Sequence, residues 1–106
     1  MPSQLRIYTI KPGLMPQWLT FFHEKVVPLH ARHGIPARVG FVNEVANEFI
    51  WVRDFSDDEP IEVQEERYVT SEDRLRLIGD ESKSYIDAMS VRVVDVAYER
   101  PSSVAT

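Results

Sequence analysis

Between Gln4 and Ile10, Leu5, Ile7 and Thr9 alternate with Arg6, Tyr8 and Ile10 in a run rich in β-branched and aromatic side chains. A period of two with that composition predicts a strand. Lys11-Pro12-Gly13 ends it, because proline and glycine both punctuate strands. From Leu14 the period changes. At about 100° per residue, Leu14, Met15, Trp18, Leu19, Phe22, Val26 and Leu29 fall on one stripe, with Gln17, Thr20 and Glu24 opposite. This predicts a long amphipathic helix with Pro16 in its first turn, where a missing N–H costs nothing. Pro28 cannot bond back to the Glu24 carbonyl and should bend the helix; Gly34 suits its left-handed cap.

Ala37 to Val45 and Glu48 to Phe55 read as two strands of a hairpin turning around Ala46-Asn47. A symmetric hairpin would put Val39, Phe41 and Asn43 on one face with Phe49, Trp51 and Arg53. Arg38, Gly40, Val42, Ile50, Val52 and Asp54 would share the other, and a one-residue slip would exchange the two sets. Ser56 fits an N-cap for helix from Asp57, and Thr70 to Asp73 fits a second helix start leading through Leu75, Leu77 and Ile78 to Gly79. Ala88 to Tyr98 is the last predicted strand, with Met89, Val91 and Val93 alternating against Arg92, Val94, Val96 and Tyr98; Pro101 onward is a small polar tail expected to fray.

The order β-α-β-β-α-β predicts an α+β fold of the ferredoxin-like kind, a four-stranded antiparallel sheet backed by helices in a single domain over residues 1–106. A sheet with one wet face should alternate apolar with polar residues, yet these strands carry large apolar groups on both. Helices can cover only one face. The other is expected to meet a second copy, giving a homodimer joined sheet to sheet.

Composition narrows the possibilities. The chain has 106 residues, 43% hydrophobic and 27% charged, a globular balance with room for one small core. Its net charge of -5 argues against nucleic acid as the main partner, and no apolar run approaches the roughly 20 residues of a membrane span. With no cysteine and no signal-peptide pattern at Met1-Pro2-Ser3-Gln4, a cytoplasmic location is expected. Asp54 to Glu81 holds eleven acids against Arg67, Arg74 and Arg76, a net -8, first read as a solvated helical surface and second as a docking surface for a basic partner.

Leu5-Arg6-Ile7-Tyr8-Thr9-Ile10-Lys11-Pro12-Gly13 resembles the opening strand and turn of the NIPSNAP family. Pro28-Leu29-His30-Ala31-Arg32-His33-Gly34 resembles the end of that family's first helix, and Gly40-Phe41 with Ile50-Trp51-Val52-Arg53-Asp54-Phe55 its central hairpin. The likeness runs from about Gln4 to Arg100, with Glu59 to Ser84 departing from the family's arginine- and alanine-rich helix. It implies a dimeric α+β barrel. The same barrel carries small monooxygenases, haem-degrading enzymes and ligand-binding modules, among which fold alone does not choose.

His23, His30 and His33 all lie on the first helix, with His33 projecting onto the middle of its apolar stripe and His30 and His23 on the flank. His30 and His33 have i, i+3 spacing but no third ligand, so no metal and no cofactor is expected. His33 reads first as a structural residue near a helix C-terminus and second as a general acid or base. Arg6, Arg38, Arg53 and Arg92 place one arginine on each strand. Structural ion pairs are their first reading, with Asp54 for Arg38 and Asp95 for Arg92, and ligand binding their second. No catalytic triad, phosphate loop or nucleotide fingerprint is present.

A small aromatic or anionic ligand between sheet and helices would be held by Arg53, Trp51 and Phe41, walled by Trp18 and Phe22, with His30 beside it. A cofactor-independent monooxygenase or isomerase would use Tyr8 and His33 for proton transfer. The alternatives are a non-catalytic ligand-binding or interaction module, and a haem protein with a histidine pointing into the cavity.

Overall fold

The computed structural model describes residues 2–101. The tail expected after Pro101 lies outside them. Four strands form one sheet: β1 (Ser3–Ile10), β2 (Ala37–Asn43), β3 (Glu48–Asp54) and β4 (Ile86–Val94), in the order β2-β3-β1-β4 with every neighbour antiparallel. One face is covered by α1 (Met15–Phe21), a π-helical turn (Phe22–Val26), α2 (Val27–Arg32), α3 (Ile61–Val69), α4 (Glu72–Leu77) and a short 3-10 turn (Glu81–Ser84). This is the ferredoxin-like α+β architecture that the element order predicts.

Strand alternation decides what meets the helices. Gln4, Tyr8 and Ile10 of β1 and Phe49, Trp51 and Arg53 of β3 are buried, and the register pairs Gln4 with Arg53, Arg6 with Trp51 and Tyr8 with Phe49. Trp18, Phe21, Phe22, Val26 and Leu29 pack down on them from the helix. Trp18 meets Tyr8, Phe22 and Phe49 at ring separations of 5.5, 5.8 and 5.6 Å. Tilted and edge-on ring pairs of this kind add to the burial of their large apolar areas.

The hairpin corrects one expectation. Its loop is Glu44 to Asn47, four residues, with Asn47 at φ 54 and its side-chain amide donating to the Ile10 carbonyl at 2.6 Å. The resulting register pairs Gly40 with Trp51, Phe41 with Ile50 and Val42 with Phe49. Phe41 and Val39 therefore lie on the open face with Ile50 and Val52, away from Trp51 and Arg53. A four-residue loop, like a two-residue turn at Ala46-Asn47, pairs Val39 and Phe41 with even-numbered positions of β3; the expected grouping needs an odd loop, and one residue is enough to exchange faces. Gly40 takes the covered position, where a Cβ would come within 2.9 Å of the Phe49 ring.

The bend at Pro28 is absorbed one turn earlier. Val27 N–H bonds to the Phe22 carbonyl, five residues back, so the chain widens into a π turn and Pro28 falls in the first turn of α2. The extra residue delays all later positions by about 100° relative to a continuous α-helix. His30 rotates into the interior at 3% exposure, and His33 moves off the stripe to the end of α2. Gly34, at φ 75, closes the helix as expected.

Three boundaries also differ. The helix expected from Asp57 starts at Ile61, after Pro60, because the Ser56 hydroxyl accepts the Asp58 N–H at 2.9 Å in a local turn. Buried Gln64 then ties that turn down, accepting from Ser56 N–H at 3.0 Å and donating to the Ser56 and Glu59 carbonyls. β4 starts at Ile86 and ends at Val94, not Tyr98, because Val94 pairs with Ser3 at the very start of β1 and no partner strand extends further.

Candidate functional site

A cavity of about 370 Å³ opens between the sheet and the helices beside β4. Its chemistry begins at Arg53, only 4% exposed although it carries a guanidinium. Nε donates to Gln4 Oε1 at 3.0 Å, Nη1 to His30 Nε2 at 2.9 Å, and Nη2 to Glu65 Oε2. The Phe55 and Trp51 rings flank it at 5.3 and 5.9 Å. Burial, and then the neighbouring Arg6 cation, lower the Arg53 guanidinium to about 10, where it keeps its charge at neutral pH.

Arg6 stands beside it on β1. Its Nε donates to the Tyr8 hydroxyl oxygen at 2.6 Å and its Nη1 to the same Gln4 carbonyl oxygen at 2.8 Å. Gln4 in turn donates its amide to Glu65 at 3.2 Å, and Arg6 Nη1 lies 3.7 Å from that carboxylate. Two guanidiniums thus share one carboxylate and one amide oxygen. The Tyr8 oxygen accepts from Arg6, which leaves its own hydrogen free to donate.

His30 sets this pair in place. Its Nδ1 lies 2.9 Å from the Val26 carbonyl, which can only accept, so Nδ1 carries the proton and Nε2 accepts from Arg53. Burial, with Arg53 next to it, lowers His30 to about 3. At neutral pH it is an uncharged acceptor that orients a guanidinium. Both ring nitrogens are engaged, so His30 offers no free lone pair to a haem iron. Among the described residues no three His, Asp or Glu side chains come together to hold a metal ion.

The helical wall is Tyr68 of α3 and Arg74 of α4. Tyr68 packs on the His30 ring at 4.3 Å, and burial pushes its hydroxyl up to about 12, so it remains a neutral phenol. Arg74 lies over the Tyr68 ring at 5.7 Å. Three buried donors among the lining residues have no hydrogen-bond partner: Trp18 Nε1, Trp51 Nε1 and Arg74 Nε.

Of the residues expected at the site, Tyr8, Trp18, His30, Trp51 and Arg53 line the cavity. Phe22 packs behind the wall, 4.7 Å from the Phe49 ring and 5.2 Å from Trp51. Phe41 is on the opposite face of the sheet. His33 is outside the lining; its Nε2 binds both oxygens of Asp73, at 2.8 and 3.0 Å, joining α2 to α4, and its ring flanks Tyr68 at 5.5 Å. Arg38 has the ion pair expected for it, bidentate to Asp54 at 2.8 and 3.0 Å, while Arg92 donates to the Val91 carbonyl. Glu65, Tyr68 and Arg74 come to the site from the acidic segment, where no site residue is expected. The signal there was Ile61, Gln64, Glu65 and Tyr68 recurring at helical spacing, the one inward stripe of a polar stretch.

No helix among the described residues is long and apolar enough to cross a membrane. No curated protein sequence matches this chain. Several solved structures share its fold. An uncharacterised NIPSNAP domain protein from Burkholderia xenovorans has 16% identity and a TM-score of 0.79, over 95% of this chain and 99% of that one. Protein Atu4242 from Agrobacterium tumefaciens has 18% identity and a TM-score of 0.80, over 95% and 98%. An antibiotic biosynthesis monooxygenase is more distant, with 16% identity and a TM-score of 0.65 over 92% and 100%. The NIPSNAP family model matches residues 3–97, and the chain belongs to the NIPSNAP family.

Proposed function

We propose that the protein holds a small aromatic or anionic molecule in this cavity, with Arg6 and Arg53 meeting the anionic group and Tyr8 donating to it. The observation that carries the reading is a pair of guanidiniums sharing a single carboxylate inside an aromatic-walled space. Such a pair has surplus charge and donors pre-aimed by Gln4 and His30, which lowers the ordering cost of binding. Trp51 and Trp18 supply apolar walls for a flat body. The open face, with Leu5, Ile7, Val39, Phe41, Ile50 and Val52, is covered by a second copy of the chain.

The test uses the protein's own fluorescence. Both of its tryptophans line the cavity. Benzoate should quench or shift their emission saturably, and neutral benzamide should bind at least about tenfold more weakly. Arg6→Gln and Arg53→Gln should each weaken benzoate by a similar factor, with folding checked by circular dichroism. No saturable response to benzoate, or equal affinity for benzamide, overturns the reading.

A catalytic version, a cofactor-independent monooxygenase or isomerase, is favoured by the free Tyr8 hydrogen beside Arg6 and by the related fold of the antibiotic biosynthesis monooxygenase. Tyr8 would then move the proton, with His33 acting on the site only through Tyr68. Oxygen uptake or a new product with aromatic acids, lost in Tyr8→Phe while binding stays within about threefold, supports catalysis. Binding without any turnover leaves a non-catalytic ligand-binding module.

A further inference from the structure

The sheet wall and the helical wall of the cavity differ in how their charge is balanced. On the sheet, Arg6 and Arg53 share Glu65, so one positive charge of the pair is unmatched. On the helical wall, Arg74 has a buried Nε with no acceptor and an aromatic ring, Tyr68, beneath it. Lys83 and Asp87 also line the cavity; both are exposed, and Lys83 pairs with Asp80 at 3.7 Å. The remaining orphans, the indole N–H groups of Trp18 and Trp51, are donors as well. All three orphans are donors, and they belong to residues around one space. The three nitrogens themselves are closed off from the cavity, so what an occupant meets on the helical wall is the charge of Arg74.

We infer that the natural ligand is a flat dianion, an aromatic or unsaturated diacid, with one acidic group on Arg6 and Arg53 and the other on Arg74. This rests on the anion-binding reading above and adds a second point of attachment to it. A monoacid satisfies one wall only. A diacid neutralises both surplus charges and lays its unsaturated body against the tryptophan rings.

The experiment measures affinity for benzoate, isophthalate, terephthalate and cis,cis-muconate by tryptophan fluorescence, confirmed by calorimetry. At least one diacid should bind tenfold or more tightly than benzoate. Arg74→Gln should weaken that diacid at least about tenfold more than it weakens benzoate. Arg74→Lys, which keeps the charge but lacks the planar fork, should fall between. Benzoate binding with no preference for any diacid overturns the second attachment and leaves the anion-binding reading standing. Equal losses for benzoate and diacid in Arg74→Gln overturn it as well. No binding of any probe overturns both. The ratio of diacid to monoacid affinity in the unaltered protein decides the matter even if the Arg74 variants fold poorly.

Discussion

Each face of the sheet departs in part from the usual relation between burial and polarity. The covered face holds Gln4, Arg6 and Arg53, with His30 and Glu65 brought down from the helices. The open face carries Leu5, Ile7, Val39, Phe41, Ile50 and Val52, with Phe41 56% exposed. A chain selected only for a stable single copy would place these sets the other way round. Charge kept under helices at a desolvation cost points to work done there, and apolar surface kept in the open points to a partner.

The comparison can be broken most severely from the covered side. Trp51→Ala removes a buried ring that Tyr8, Phe22 and His30 all pack against edge-on. It should cost about 3–5 kcal/mol in urea denaturation, the range for truncating a large aromatic in a core. It should also remove benzoate binding.

Acid acts on the same face more gradually. The unfolded chain protonates His30 near 6.5, whereas the folded chain does so only near 3. Between these values the unfolded state holds more protons, so stability falls as pH drops from about 6.5 toward 3. Urea midpoints should decline across that window, and His30→Gln should flatten the decline. An unchanged slope would show that His30 is not the residue excluded from protonation.

The open face should respond in assembly rather than in fold. Phe41→Asp should halve the mass seen by native mass spectrometry while leaving the far-ultraviolet circular dichroism unchanged. A parent protein that is already monomeric would remove the second copy from the account and leave the apolar face unexplained.

Much of this was legible in the sequence, because strand alternation is local. The pairing of Arg6 with Tyr8 and Ile10 on one face, the helix from Met15 and the glycine cap at Gly34 all depend on neighbours a few residues away. The failures sit where one residue changes a phase. Grouping Phe41 with Trp51 needs an odd hairpin loop, and the loop here is even; a widened turn exchanged the interior place between His33 and His30. Glu65 and Arg74 were hidden for a different reason. Their segment is so acidic that it reads as a solvated surface, and only the tertiary fold turns one of its carboxylates onto Arg53.

The widened turn at Phe22–Val26 has an evolutionary consequence. A π turn holds one residue more than the α-helical turn it replaces, so removing one residue there would restore a continuous α-helix. Upstream of it, the aromatic residues of α1 hold the core; downstream, α2 presents His30 to Arg53. Lineages could gain or lose that single residue without disturbing the core, and each such event would present a different side chain to the cavity. Relatives aligned without a gap at this point would have their site histidines paired with the wrong positions, and their ligands misjudged with them.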